Sequence, residues 1–307
     1  MQKSQHTLRF DDKVAVVTGA GSGLGRVYAL ELARRGAKVV VNDLGVSVKG
    51  ESLSSKAADL VVNEIKSFGG EAVANYSSVE QGGSIVEFAV KHYGKIDILI
   101  NNAGILRDVT IQKMTDADWD VIIAVHLTGA FALAKAAWKH MRQNKYGRII
   151  NTSSTSGLYG NFGQSNYAAA KLGLHGLTQT LGKEGDKNNI KVNTIAPFAG
   201  SRMNKDLWTE VMMKKFVPEK VVPLVMFLCH EKNEENGALF ELGAGYMARL
   251  RWQRTEGVLF ANGFTAEDLH GKWGEVVDFG RTNDYPLAMT DTLQRVMNLI
   301  EASKPKI

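Results

Sequence analysis

The chain has 307 residues, 44% of them hydrophobic, with 31 Gly against 5 Pro, enough for one large α/β core plus an appendage. Its formal net charge of +5 is scattered, with neither a basic helix nor aromatics interleaved with arginines, which argues against nucleic acid as a partner. A single cysteine, Cys229, excludes an internal disulfide and a cysteine-built metal cluster; no apolar stretch approaches the ~20 residues that cross a bilayer, and residues 1–6 lack a signal peptide's apolar core.

The first predicted element is a strand. Val14-Ala15-Val16-Val17-Thr18 has no polar alternation, the mark of a strand buried on both faces, and Gly19-Ala20-Gly21-Ser22-Gly23-Leu24-Gly25 follows at once. Helical spacing then runs through Val27, Leu30, Leu32 and Ala33 to a stop at Gly36. Strand, glycine turn and helix in that order place backbone N–H groups and a helix N-terminus against a pyrophosphate. Gly19, Gly23 and Gly25 permit the turn and the close approach; Ser22 and Leu24 lie between them and share the predicted cofactor contact. The spacing is G-x-x-x-G-x-G, a departure from G-x-G-x-x-G. A second strand, Lys38-Val39-Val40-Val41-Asn42, ends at Asp43, which lies 18 positions beyond Gly25. That is close to the ~20 expected of the residue gripping the adenosine ribose. A carboxylate there accepts from ribose hydroxyls and repels a 2′-phosphate, so the predicted cofactor is NAD, not NADP. The alternative reading of Asp43 is a strand-end turn residue.

A helix is predicted near 54–68 and a strand over 71–76, with Ser78 and Val79 beside the adenine. A helix near 82–93 precedes a strand over 96–100, which delivers Asn101, Asn102, Ala103 and Gly104 to the cofactor. A long helix near 116–143 leads to a strand over 147–153 that presents Ser154. Tyr167 and Lys171, four apart in an alanine-rich segment, share one face of the next helix. A free tyrosine titrates near ~10, so proton transfer near neutrality needs a shift of roughly 3 units, about 4 kcal/mol. A lysine charge about 4 Å away at an effective dielectric of about 20 supplies about 4 kcal/mol, so Lys171 is expected to lower the pKa of Tyr167.

Strands over 190–196 and 237–242 complete a seven-stranded, doubly wound parallel sheet of Rossmann type. Cys229 ends an apolar run and is expected in a core helix. Arg202, Lys205, Lys214 and Lys215 follow the sixth strand; they are either phosphate contacts for an anionic substrate or solvated charges. Residues 1–255 form the expected catalytic domain. Over 256–307, Leu293, Val296, Met297 and Ile300 at helical spacing mark an extension expected to pack on that domain or on a partner subunit.

T-G-x-x-x-G-x-G over 18–25, Asn101-Asn102-Ala103-Gly104, a serine 13 before the tyrosine (Ser154) and Y-x-x-x-K occur in order over about 150 residues. By these the chain is identified as a member of the short-chain dehydrogenase/reductase family. Val41-Asn42-Asp43-Leu44-Gly45 and residues 101–108, 157–164, 193–197, 201–203, 227–231, 241–246 and 251–254 narrow the likeness. They resemble the dehydrogenase domains of type 2 peroxisomal multifunctional enzymes, from about residue 8 to about residue 290.

The resemblance implies NAD-dependent oxidation of (3R)-3-hydroxyacyl-CoA to 3-ketoacyl-CoA in peroxisomal β-oxidation, an acyl-CoA substrate, a homodimer and a peroxisomal location. It also implies an enoyl-CoA hydratase 2 domain, fused or acting alongside. Tyr167 becomes the general base, Lys171 its activator and a ribose contact, Ser154 the holder of the substrate oxygen, and Pro197 a further cofactor contact. Many members carry asparagine in an N-x-x-G element on the long helix, supporting a water relay to the lysine. Here the element reads His126-Leu127-Thr128-Gly129, so His126 is either a relay residue or a buried structural histidine. The chain ends Lys304-Pro305-Lys306-Ile307 without a peroxisomal S-K-L address, and a fragment of a longer polypeptide is expected. An NADP-dependent 3-ketoacyl reductase, a hydroxysteroid dehydrogenase and a non-catalytic NAD-binding scaffold are the alternatives.

Overall fold

The structure, a computed structural model, describes residues 8–45, 56–199, 209–260 and 263–303. They form two compact units that divide between Arg249 and Leu250. In chain order the first unit holds Val14–Thr18 (β1), Gly23–Arg34 (α1), Lys38–Asn42 (β2), Lys56–Ser67 (α2), Glu71–Asn75 (β3), Gly82–Tyr93 (α3) and Ile98–Asn101 (β4). Asp116–Ile123 (α4), Gly129–Asn144 (α5), Gly147–Thr152 (β5), Thr155–Tyr159 (α6), Ser165–Gly185 (α7) and Ile190–Phe198 (β6) follow. Glu210–Lys215 (α8), Val222–Cys229 (α9) and Leu239–Gly243 (β7) complete it, and Tyr246–Leu250 (β8) runs to the boundary.

The sheet order is β3-β2-β1-β4-β5-β6-β7-β8, and the pairs from β3 to β7 are parallel. Every residue of β1 is buried because helices cover both faces and successive side chains alternate between them. Ala15 and Val17 join the core that holds Leu32, Val225 and Leu228; Val16, between them, joins the core that holds Leu133, Met141 and Ile149. The chain reverses its direction of travel across the sheet between β1 and β4. Parallel sheets of this kind bind ligands outside the carboxyl ends of the strands at that point.

The doubly wound parallel sheet agrees with the sequence reading, with one strand more than expected. β8 follows β7 through Ala244 and Gly245, whose φ of 53° and 93° suit a two-residue hairpin turn. The long helix also differs: Ala124–Thr128 is a π-turn, with the Gly129 N–H donating to the Ala124 carbonyl. Contrary to expectation, the 29-residue run Asp116–Asn144 is long and apolar enough, by length and composition, to cross a membrane. Its Leu133, Ala134, Ala137 and Met141 are instead buried in the core beneath β1, β4 and β5.

Cys229 closes α9 as a buried thiol, pushed up to about 12 by burial. Lys214 and Lys215 end α8. Arg202, Lys205, the 201–203 motif and positions 54–55 of the second predicted helix lie outside the described residues. The second unit contains Ala266–Gly271 (α10), Trp273–Val276 (α11) and Met289–Ala302 (α12), with Arg254 ion-paired to Asp284 at 2.8 Å. Leu293, Val296, Met297 and Ile300 share α12 and are exposed.

Candidate active site

The carboxyl ends of β1, β2, β4 and β5 open into a cleft of about 500 Å³. The turn after β1 begins at Gly19, whose φ of 63° favours glycine. A Cβ on Gly25 would strike the Gly19 carbonyl and come within 2.7 Å of Asn102 Nδ2, so this glycine lets α1 press against the turn. Thr18, which the sequence reading passed over, ties the turn to the segment after β4. Its hydroxyl accepts from the Asn102 and Ala103 N–H groups at 3.0 and 3.1 Å, and Asn102 Nδ2 donates to the Thr18 carbonyl at 3.0 Å. The signal was the threonine that opens the glycine motif. Asp43 caps the next strand end, accepting the Gly21 and Gly45 N–H groups at 2.8 Å each.

Gly19, Ser22, Gly23, Leu24, Asp43, Ser78, Val79, Ala103, Gly104 and Pro197 line the cleft with His126, Ser154, Tyr167 and Lys171. Gly25 and Asn101 do not. Gly25 packs behind the turn, and Asn101 is buried below it, donating to Asn151 Oδ1 at 2.8 Å. The cradle suits a dinucleotide. The first turn of α1 has no acidic residue, Gly23 leaves open space where a Cβ would stand, and the Asp43 carboxylate retains lone pairs for ribose hydroxyls.

Tyr167 and Lys171 project from the first turns of α7, which is pinned in place. Asn166 Nδ2 donates to the Arg107 and Asp118 carbonyls at 3.2 and 2.9 Å, and the Tyr167 N–H donates to Asn166 Oδ1 at 2.7 Å. Ser154 caps α6 by accepting the Ser156 N–H at 3.2 Å. Lys171 Nζ lies 5.4 Å from the centre of the Tyr167 ring and donates to the Thr152 carbonyl at 2.6 Å.

These groups correct one expectation. Burial raises the Tyr167 phenol to about 12, with the Ser154 hydrogen bond opposing the shift and the Asp108 charge adding to it. Burial also brings Lys171 down to about 7. The net shift of the phenol is therefore upward where a downward one was expected: burial is its largest cause, and the Lys171 ammonium is turned to the Thr152 carbonyl.

His126 sits in the π-turn, its ring 5.1 Å from that of Tyr167 in an edge-to-face arrangement. The wider turn aims it at the segment after β4, so close that a Cβ on Gly104 would strike its Cε1. Nε2 lies 2.8 Å from the Ile105 carbonyl and 3.2 Å from the Ile105 nitrogen. We assign the ring proton to Nε2 on the shorter contact, which leaves Nδ1 as an acceptor. Burial first, then the Lys171 charge, hold His126 well below its ordinary pKa, so it is neutral. Among the described residues, Asn101 Oδ1, His126 Nδ1 and Thr152 Oγ1 are buried without a hydrogen-bond partner. All three residues, with Lys171, line a separate void of about 10 Å³, room for about one water.

The sequence profile for short chain dehydrogenase matches residues 13–211. The chain belongs to the short-chain dehydrogenase family. It is 51% identical over 298 residues to the peroxisomal multifunctional enzyme A of Dictyostelium discoideum, covering 97% of this chain and 67% of that protein. It is 54% identical over 289 residues to the peroxisomal hydratase-dehydrogenase-epimerase of Neurospora crassa, covering 93% of this chain and 32% of that protein. The structure of full-length peroxisomal multifunctional enzyme type 2 from Drosophila melanogaster superposes with a TM-score of 0.83 at 40% identity, covering 97% of this chain and 51% of that one. The chain thus spans between about a third and two thirds of these relatives.

Proposed function

We propose that this chain is an NAD-dependent (3R)-3-hydroxyacyl-CoA dehydrogenase acting in peroxisomal fatty-acid β-oxidation. One observation carries the reading: Ser154, Tyr167 and Lys171 meet in a single cleft that also holds Asp43. Sequence identity above half with peroxisomal multifunctional enzymes supports the substrate class and location. The fungal relative's name supports a hydratase partner, fused or separate; a homodimer follows from the resemblance of the sequence to the family.

Gly19, Ser22, Gly23 and Leu24 would hold the cofactor's pyrophosphate, Asp43 its adenosine ribose, Ser78 and Val79 its adenine, and Ala103, Gly104, Tyr167, Lys171 and Pro197 its nicotinamide half. Gly25 and Asn101 support that site from behind. Bound NAD supplies a hydride acceptor and a cationic ring. Ser154 holds the C3 oxygen at Tyr167, a positioning contribution. Tyr167 first passes its own proton to the neutral form of Lys171, because a phenol raised to about 12 is protonated, and as the phenolate takes the hydroxyl proton. Lys171, at about 7, is the site group that changes protonation near neutrality, and it lies on the proton's way out. Neutral His126, with its bare Nδ1, and the void beside it continue that path.

A test follows NADH absorbance with (3R)- and (3S)-3-hydroxyacyl-CoA, each with NAD and NADP at equal concentration. Turnover of the R isomer with NAD is the expected result. Turnover of the S isomer alone, or a preference for NADP, would overturn the stereochemical or the cofactor assignment.

A further inference from the structure

We propose that Gln164 is a carbonyl clamp: its side-chain amide donates a hydrogen bond to the C1 carbonyl of the 3-hydroxyacyl thioester while Ser154 and Tyr167 hold the C3 oxygen. The inference rests on the function proposed above and adds a substrate-binding residue to it.

Gln164 lines the cleft with Ser154 and Tyr167 and is 7% exposed. It stands immediately before α7, where Gly163, at a φ of 74°, turns the chain into the helix. The Gly163 carbonyl accepts from the Val109 N–H at 2.7 Å, which ties this turn to the segment after β4. Positions 164, 167 and 171 follow the i, i+3, i+7 spacing of one helix face. Lys171, further along α7, meets the nicotinamide half of the cofactor in the proposed pose. Gln164 flanks Tyr167 on the opposite side, where the acyl arm of the substrate must run.

Chemistry fixes which way the amide points. An ionised carboxylate only accepts, so the group 2.9 Å from Asp108 Oδ2 is Gln164 Nε2. Gln164 Oε1 then accepts from Asn161 Nδ2, also at 2.9 Å. One N–H of Nε2 is used in this way, and the second remains in the plane of an amide held at both ends. The other donors near Tyr167 are engaged or free to turn. Lys171 donates to the Thr152 carbonyl and Arg107 to the Leu106 carbonyl. The Thr155 and Ser156 hydroxyls, which also line the cleft, rotate about their own bonds. A donor already aimed loses less freedom on binding than one that must first be ordered.

The substrate's own geometry completes the argument. In a 3-hydroxyacyl thioester the C1 oxygen is four bonds from the C3 oxygen. With the C3 oxygen at Tyr167, the C1 oxygen comes down beside that residue, bringing lone pairs and no donor. Once the bound ligand has displaced water, that oxygen needs an N–H or O–H from the protein. An amide three residues from Tyr167 supplies one without adding a charge. Holding both oxygens also stops rotation about the O3–C3 bond, which keeps the C3 hydrogen aimed at the nicotinamide. The same donor, left without its acceptor, selects against an analogue that lacks the carbonyl.

The experiment compares kcat/KM for (3R)-3-hydroxybutyryl-CoA and its thioether analogue, in which a methylene replaces the C1 carbonyl, with NAD. The proteins are the wild type, Gln164→Met and Arg107→Met. Methionine fills the space of glutamine, and the two partners it leaves, Asp108 and Asn161, are exposed and can turn to water. The expected wild-type preference for the thioester is about 10-fold or more, the effect of one hydrogen bond. Gln164→Met should narrow it about 10-fold, and Arg107→Met should leave it within about 3-fold. Equal slowing of both substrates in Gln164→Met would mean a structural role and overturn the proposal. A wild type indifferent to the carbonyl, or a thioester-specific loss confined to Arg107→Met, would overturn it too. The change in NADH fluorescence on adding acetoacetyl-CoA, against its C1-methylene thioether, reads the same ratio in binding, without turnover. A wild type that oxidises neither substrate yet keeps the Gln164-dependent ratio in binding would sink the proposed function and support the clamp.

Discussion

Strand β5 has a buried cation at each end, surrounded in opposite ways. At its start the Arg148 guanidinium donates to the carbonyls of Gly147, Asn189, His230 and Glu231 and to Asn189 Oδ1, at 2.8–3.4 Å, and packs 4.5 Å from the centre of the Tyr146 ring. Past its end the Lys171 ammonium donates to the Thr152 carbonyl, while Asn101 Oδ1, Thr152 Oγ1 and His126 Nδ1 nearby have no partner. Burial lowers both pKa values, but the arginine remains a cation, whereas the lysine falls to about 7. A saturated guanidinium holds three chain segments together. An under-coordinated ammonium can gain and lose a proton at working pH. The amino end of the parallel sheet serves structure, and the carboxyl end serves chemistry.

The comparison can be broken first at the tyrosine. Tyr167→Phe is expected to lower kcat about 10³-fold, about 4 kcal/mol in the barrier, while NAD titration shows binding within about 3-fold of wild type. Arg148→Ala should instead cost about 3 kcal/mol of stability in urea unfolding, because it strips donors from several buried carbonyls.

Lys171→Met should stabilise the protein by about 4 kcal/mol at pH 7 while abolishing turnover. The sign follows from a folded-state pKa of about 7 set below the unfolded 10.5. Between those values the unfolded chain binds more protons, so wild-type stability rises with pH. The variant's advantage is full at and below pH 7 and is lost towards pH 10.5. Unfolding curves at pH 7 and pH 10 would check it, and an equal advantage at both would contradict the buried-charge account. The smallest effect is expected at His126→Ala, with NAD affinity kept within about 3-fold by calorimetry. Outright loss of cofactor binding would refute its place in a proton path.

Much of the site was legible because it rests on short spacings. The glycine turn, Asp43 at the next strand end and the four-residue interval from Tyr167 to Lys171 are local features, each with its own backbone geometry. Other features arise between segments far apart in the chain. The π-turn that aims His126 depends on packing against Ile105 and Gly104. The Asp108–Gln164 bond joins residues 56 apart, and no spacing rule connects them. The eighth strand needed a two-residue turn at Ala244-Gly245, whereas the sequence reading ended the sheet with the strand over 237–242.

From residue order alone came the alternating strands and helices, the order of the motifs and the identity of the groups that reach the cleft, because these depend on chain periodicity and turn chemistry. The charge state of those groups came only with the folded chain. Proximity in sequence suggested an ammonium activating a phenol; burial placed Tyr167 near 12 and Lys171 near 7. Desolvation is set by everything packed around a side chain, and the surroundings of Tyr167 and Lys171 are assembled from strands and loops far apart in the sequence.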